Sequence, residues 1–107
     1  MRDSKSMDVL IHTFTRAVRD RDGHTYVARV LGRERAGGMW EGWLEFRPKS
    51  TGILVRRSPI ETTQTDRKAL RYWASGLEPV YLEGALERAM TASRSATRAS
   101  LKKTTES

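Results

Sequence analysis

The sequence predicts an α+β domain: a four-stranded antiparallel β-meander, then two helices packed on one face, then a flexible basic C-terminal tail. Three observations predict it. Between residues 10 and 57, short runs of β-branched and aromatic residues alternate with turn-forming residues. From residue 65 the apolar period changes from two to 3.6. Beyond Met90 large apolar residues almost vanish, leaving Leu101 alone among small and basic residues.

The first strand is expected at Leu10–Thr15, with a helix through Val18 as the competing reading. Asp20-Arg21-Asp22-Gly23 decides for the strand, because Asp-Gly accepts the positive φ of a hairpin turn. Tyr26–Leu31 is the return strand, and Ala36-Gly37-Gly38 the next turn. In Trp40–Phe46 alternation places Trp40, Gly42, Leu44 and Phe46 on one face and Glu41, Trp43, Glu45 and Arg47 on the other. After a turn at Pro48–Gly52, Ile53–Arg57 is the fourth strand. Such short links join only antiparallel neighbours. Thr65 is expected to cap the first helix, whose stripe is Ala69, Leu70, Trp73 and Leu77. Gly76 is expected to end it in the left-handed conformation. Pro79 opens the second helix, with the stripe Leu82, Leu86, Ala89 and Met90. Gly84 weakens that helix by about 1 kcal/mol relative to alanine, a cost expected to reflect close packing of a neighbouring element. Trp40, Leu44, Phe46, Leu70 and Trp73 are the expected core.

The chain has 107 residues, the length of one domain. We place that domain at residues 9–92, with a frayed segment 1–8 before it and the tail at 93–107. The absence of cysteine excludes disulfides, thiolate metal sites and cysteine nucleophiles. No apolar run approaches the roughly 18 residues of a membrane span, and no leader-like segment opens the chain. A cytoplasmic protein without a membrane partner is the expectation. The formal net charge is +7, and the last 20 residues carry five basic groups against one acidic. A basic chain favours a polyanionic partner, a basic tail on a nearly neutral body less so.

The string Trp40-Glu41-Gly42-Trp43-Leu44-Glu45-Phe46, then Glu61-Thr62-Thr63-Gln64, then residues 72–85 from Tyr72-Trp73-Ala74-Ser75-Gly76 to Tyr81-Leu82-Glu83-Gly84-Ala85, resembles a family of small uncharacterised bacterial proteins. The resemblance spans roughly residues 9–90. It implies a bacterial source and a compact domain, and it carries no functional residue with it.

Candidate chemistry is sparse. His12 and His24 flank the first hairpin and could approach across the strands, but they lack a third ligand at metal-binding spacing. Glu41 with Glu45, and Glu83 with Glu87, are four residues apart, yet no pocket is evident that would separate their pKa values for acid–base work. Gly37-Gly38 lacks the Lys-Ser/Thr and the helix of a phosphate cradle. Thr62–Asp66 precedes a helix N-terminus, an anion-binding geometry, but simple capping is the favoured reading. Arg56-Arg57-Ser58-Pro59 matches a kinase-target pattern of a kind common by chance. Trp43 is the most informative residue, pointing away from Trp40, Leu44 and Phe46 among arginines. That arrangement suits base stacking on single-stranded nucleic acid, a protein-interface anchor, or an indole lying flat beneath arginine stems. The expectation is a non-enzymatic binding or accessory module, without cofactor or metal, contacting a protein partner through Trp43, Arg29, Arg47, Arg56 and Arg57 or through the helices. Nucleic acid held by the basic sheet face and the tail is the alternative.

Overall fold

The computed structural model describes residues 7–91; the tail at 93–107 and residues 1–6 of the expected frayed segment lie outside them. The elements are β1 (Val9–Thr13), β2 (Val18–Arg19), β3 (Thr25–Glu34), β4 (Trp40–Pro48), β5 (Arg56–Arg57), β6 (Thr62–Gln64) and α1 (Arg67–Ser75), followed by α2 over residues 79–91. The protein is α+β, an open antiparallel sheet with two helices. β3 and β4 pair along their length, from Tyr26 opposite Pro48 to Glu34 opposite Trp40. β1 and β2 both pair with β3, and β5 and β6 both pair with β4. The order is that of the expected meander, but each outer strand is broken in two, so there are six strands.

The shortening and the break of the β5–β6 edge have local causes. In the register that sets Phe46 opposite Arg56, extending β5 backwards would place Leu54 beside Pro48, which has no N–H to pair. Ile53–Val55 therefore lie outside the sheet, and the fourth strand expected at Ile53–Arg57 shrinks to Arg56–Arg57. Pro59 sits in the break. There the Ser58 N–H donates to the Leu44 carbonyl at 2.9 Å, while the Leu44 N–H donates to Ser58 Oγ at 2.9 Å. A hydroxyl thus replaces the backbone acceptor that the missing ladder would supply. Pairing resumes as the Glu61 N–H donates to the Gly42 carbonyl at 2.8 Å. β6, unforeseen in the sequence, follows. Short, interrupted edges also give another sheet little to pair with.

Both helices lie on one face of the sheet. Leu70, Ala74, Leu82, Ala85, Leu86 and Ala89 share one buried cluster with Tyr26, Ala28, Val30, Leu44 and Phe46, while Trp40 and Trp73 pack partly buried at its margin. The closest approach is at Gly32 and Gly42, which pair across β3 and β4. A Cβ on either would come within 2.6 Å of a Leu70 methyl, so the two glycines form a socket for that side chain. The cap of α1 is Asp66 rather than Thr65: its carboxylate accepts from the Ala69 N–H at 2.8 Å, because a residue's side chain reaches the N–H three positions on. Gly76 has φ −94° and not the left-handed conformation. The helix closes instead through the Gly76 and Leu77 N–H groups, donating to Trp73 and Ala74 carbonyls.

Candidate interaction surfaces

Among the described residues the other face of the sheet carries no helix, and the expected site residues divide between the two faces. Trp43 pairs with Leu31, next to the Gly32–Gly42 socket, so both side chains point to this outer face. Trp43 is nevertheless only 1% exposed. The Arg33 and Arg57 guanidinium carbons lie 5.1 and 4.7 Å from its ring centroid, covering the indole by cation–π contact. Trp43 is thus enclosed rather than presented, and an exposed aromatic anchor is absent at this position. Its Nε1 is buried without a hydrogen-bond partner among the described residues.

Arg29 and Arg47 share Glu45: Arg29 Nε donates to Glu45 Oε1 at 2.9 Å and Arg47 Nε at 3.0 Å. Arg35 pairs with Glu41 at 3.2 Å and Arg57 with Asp8 at 3.4 Å. Arg56 departs from this group. It stands opposite Phe46, whereas Arg57 stands opposite Glu45, so alternation turns Arg56 to the helix side of the sheet. Arginine alternation was legible in the sequence; the β4–β5 register that sorts the two was not.

Two polar clusters are built on buried carboxylates, one reaching α2 and one within the β2–β3 turn. Glu61, whose side chain is 6% exposed, accepts from Tyr81 Oη at 2.5 Å, Arg88 Nη2 at 2.8 Å and Arg88 Nε at 3.1 Å. Burial works to raise the Glu61 pKa, but the hydrogen bonds from Arg88 and Tyr81 outweigh it and hold the carboxyl below its usual range. Burial and the Glu61 carboxylate push Tyr81 up to about 12. Glu61, Tyr81 and Arg88 thus form a clamp between α2 and the segment leading into β6. In the β2–β3 turn, Asp20 Oδ1 accepts from the N–H groups of Asp22 and His24, both at 2.9 Å, and Oδ2 from Tyr26 Oη at 2.9 Å. Burial raises the Asp20 pKa and these bonds more than reverse it. Asp20, Asp22 and His24 come close enough together to hold a cation, but Asp20 is already saturated by the turn it organises. His12 stands opposite Val30, so the two histidines are not cross-strand neighbours.

Beside α2 the surface opens. One cavity of about 280 Å³ lies between residues 14–18 and Leu77, Pro79, Leu82 and Glu83. A second, of about 500 Å³, lies between Arg19–Arg21 and Val80, Gly84, Leu86, Glu87 and Met90, and also includes Glu83. They adjoin as a trough with an apolar floor. Arginines stand on one wall and Glu83 and Glu87 on the other; Glu87 bridges to Arg21 at 2.8 Å, and not to Arg88, which Glu61 holds. Sequence reading missed this trough, since the two walls are some 60 residues apart in the chain.

Fold and surfaces together define a two-layer α+β domain with one helix-flanked trough and one arginine-covered sheet face. Comparison with protein-family profiles, curated proteins and solved structures gave no match. Among the described residues no helix is long and apolar enough to cross a membrane.

Proposed function

We propose that the protein is a small non-enzymatic binding module that holds a segment of another protein in the trough beside α2. Gly84 carries this reading. A glycine inside a helix costs about 1 kcal/mol, and here no neighbouring element among the described residues explains it. A Cβ at Gly84 would meet only the tip of Arg88, at 3.4 Å. The close neighbour expected from the sequence is therefore not part of the described chain. Gly84 instead lies bare in the wall of the 500 Å³ cavity, where lack of a side chain lets an incoming backbone approach the helix. Val80, one turn before it, is 74% exposed, an apolar contact of the kind found at the centre of protein interfaces.

The test separates stability from binding. Gly84→Ala should raise the melting temperature by roughly 4–8 °C, the equivalent of about 1 kcal/mol in a domain of this size. A photo-cross-linking side chain at Val80 should capture a polypeptide from extracts of the source cells. Gly84→Leu, filling the trough, should abolish that capture while the fold is retained. Undiminished capture by a folded Gly84→Leu protein would refute the reading.

A further inference from the structure

The outer sheet face is a second surface, independent of the trough. We infer that it binds the phosphate chain of single-stranded nucleic acid, centred on the guanidinium groups of Arg33 and Arg57 above Trp43. Three observations lead there. The first is charge: Arg29, Arg33, Arg35, Arg47 and Arg57 gather on or beside this face, against Asp8, Glu41 and Glu45. Glu45 is shared between two arginines, and Arg33 has no carboxylate partner among the described residues. The face therefore keeps an uncompensated positive excess, which complements a polyanion.

The second observation is preorganisation. Arg33 and Arg57 are held over the indole, 5.1 and 4.7 Å from its centroid. Arg33 restrained in this way keeps its N–H edge available to phosphate oxygens, Arg57 keeps all but the Nη2 that makes a long 3.4 Å contact with Asp8, and both offer an outer plane to an unstacked base, as arginine planes do in single-strand recognition. The third is the Trp43 indole N–H, buried without an acceptor among the described residues. A buried donor left unmade is costly, and a phosphate oxygen drawn in between the arginines would satisfy it. An acidic polypeptide would meet the charge but gains nothing from a stacking plane, so nucleic acid fits the combination better.

The full chain should bind a fluorescein-labelled thymidine oligomer of about 16 nucleotides, a length suited to a single-strand groove. Affinity should fall steeply between about 0.05 and 0.2 M salt. Arg33→Gln with Arg57→Gln keeps the stems over the indole and removes the charge. It should weaken binding about tenfold and lower the log–log salt slope by about 1.4, or 0.7 for each phosphate no longer neutralised. Lys102→Gln with Lys103→Gln controls for the basic tail. Binding that survives the arginine changes at full strength and disappears with the lysine changes would overturn the inference. So would absence of binding at 0.05 M salt, or competition by polyglutamate as effective as by unlabelled oligomer. A measurement on the unaltered protein guards against a misfolded variant. On titration with the oligomer, the Trp43 indole N–H resonance should shift downfield as it gains an acceptor, while that of Trp73, on the opposite face, stays in place. A shift confined to Trp73 would place the ligand elsewhere.

Discussion

Glu61 shows how one buried carboxylate can hold two layers together. Its partners Tyr81 and Arg88 are 20 and 27 residues distant in the chain, so nothing in local patterning singles it out. Hydrogen bonds to a charged group contribute about 1.5–3 kcal/mol each, and Tyr81→Phe should cost about that much at neutral pH. The pH dependence follows from the shifts. Tyr81 is raised in the folded state from 10.0 to about 12, so its contribution is complete below pH 10 and is lost as the pH rises through 12. Glu61 is lowered, so its contribution is present above its unfolded value and is lost as the pH falls through the folded one. Denaturant melts of the two proteins should therefore differ most near neutrality and converge between pH 10 and 12. A gap that stays constant across that window would show that the phenol is not bonded to Glu61. Ser58 supports the fold differently, as the acceptor for a central-strand amide. Ser58→Ala should cost about 1–3 kcal/mol by leaving the Leu44 N–H unpaired, and its buried hydroxyl makes the kinase-like pattern around it a structural feature.

At the scale of elements, the joint between sheet and helix rests on absences of side chains. Leu70 reaches both central strands because Gly32 and Gly42 lie opposite each other. Gly42→Ala should cost about 1–3 kcal/mol by overpacking, and Leu70→Ala about 2–5 kcal/mol by leaving a cavity. Combined, the two should cost less than their sum, because alanine at position 70 relieves the crowding at position 42; strict additivity in chemical denaturation would mean the socket is not shared. Much of this layer was legible. The period-two run of β4, the Asp-Gly turn with Gly23 at φ +88°, the change of period at residue 65 and the stripes of both helices all emerge from local chemistry. The broken β5–β6 edge was not legible, because Pro48 and Pro59 act through a register that only the assembled sheet defines. Alternation along β4 suffices to turn Trp43 away from the helices. It does not reveal the cover over the indole, which comes from Arg33 and Arg57 on two other strands.

In the molecule as a whole, stability is concentrated at the centre of the sheet. β3 and β4 are flanked on both edges, covered by helices on one face and by the Leu31–Trp43 pair with its arginines on the other. β2 and β5 have two residues each and β6 three, so opening any of them exposes little apolar surface and breaks few bonds. Amides that open only with the whole fold exchange most slowly, and amides at short edges exchange through local openings. The amides of Arg29, Leu31 and Glu45, which point across the β3–β4 ladder, should thus report the global unfolding free energy, whereas those of Arg19, Arg57 and Thr63 should exchange several orders of magnitude faster. Leu44 discriminates between two views of the broken edge. Its N–H is bonded to the Ser58 hydroxyl and not to a ladder carbonyl. If that hydroxyl is an integral part of the central sheet, Leu44 should exchange as slowly as Leu31 in the native protein, and Ser58→Ala should accelerate Leu44 well beyond the general loss of stability while Leu31 follows the global change alone. Native-state hydrogen exchange followed residue by residue decides it: a Leu44 amide as fast as that of Arg57 in the unaltered protein would mean that the break at Ser58 opens independently and that the centre of the sheet is one strand narrower than the structure indicates.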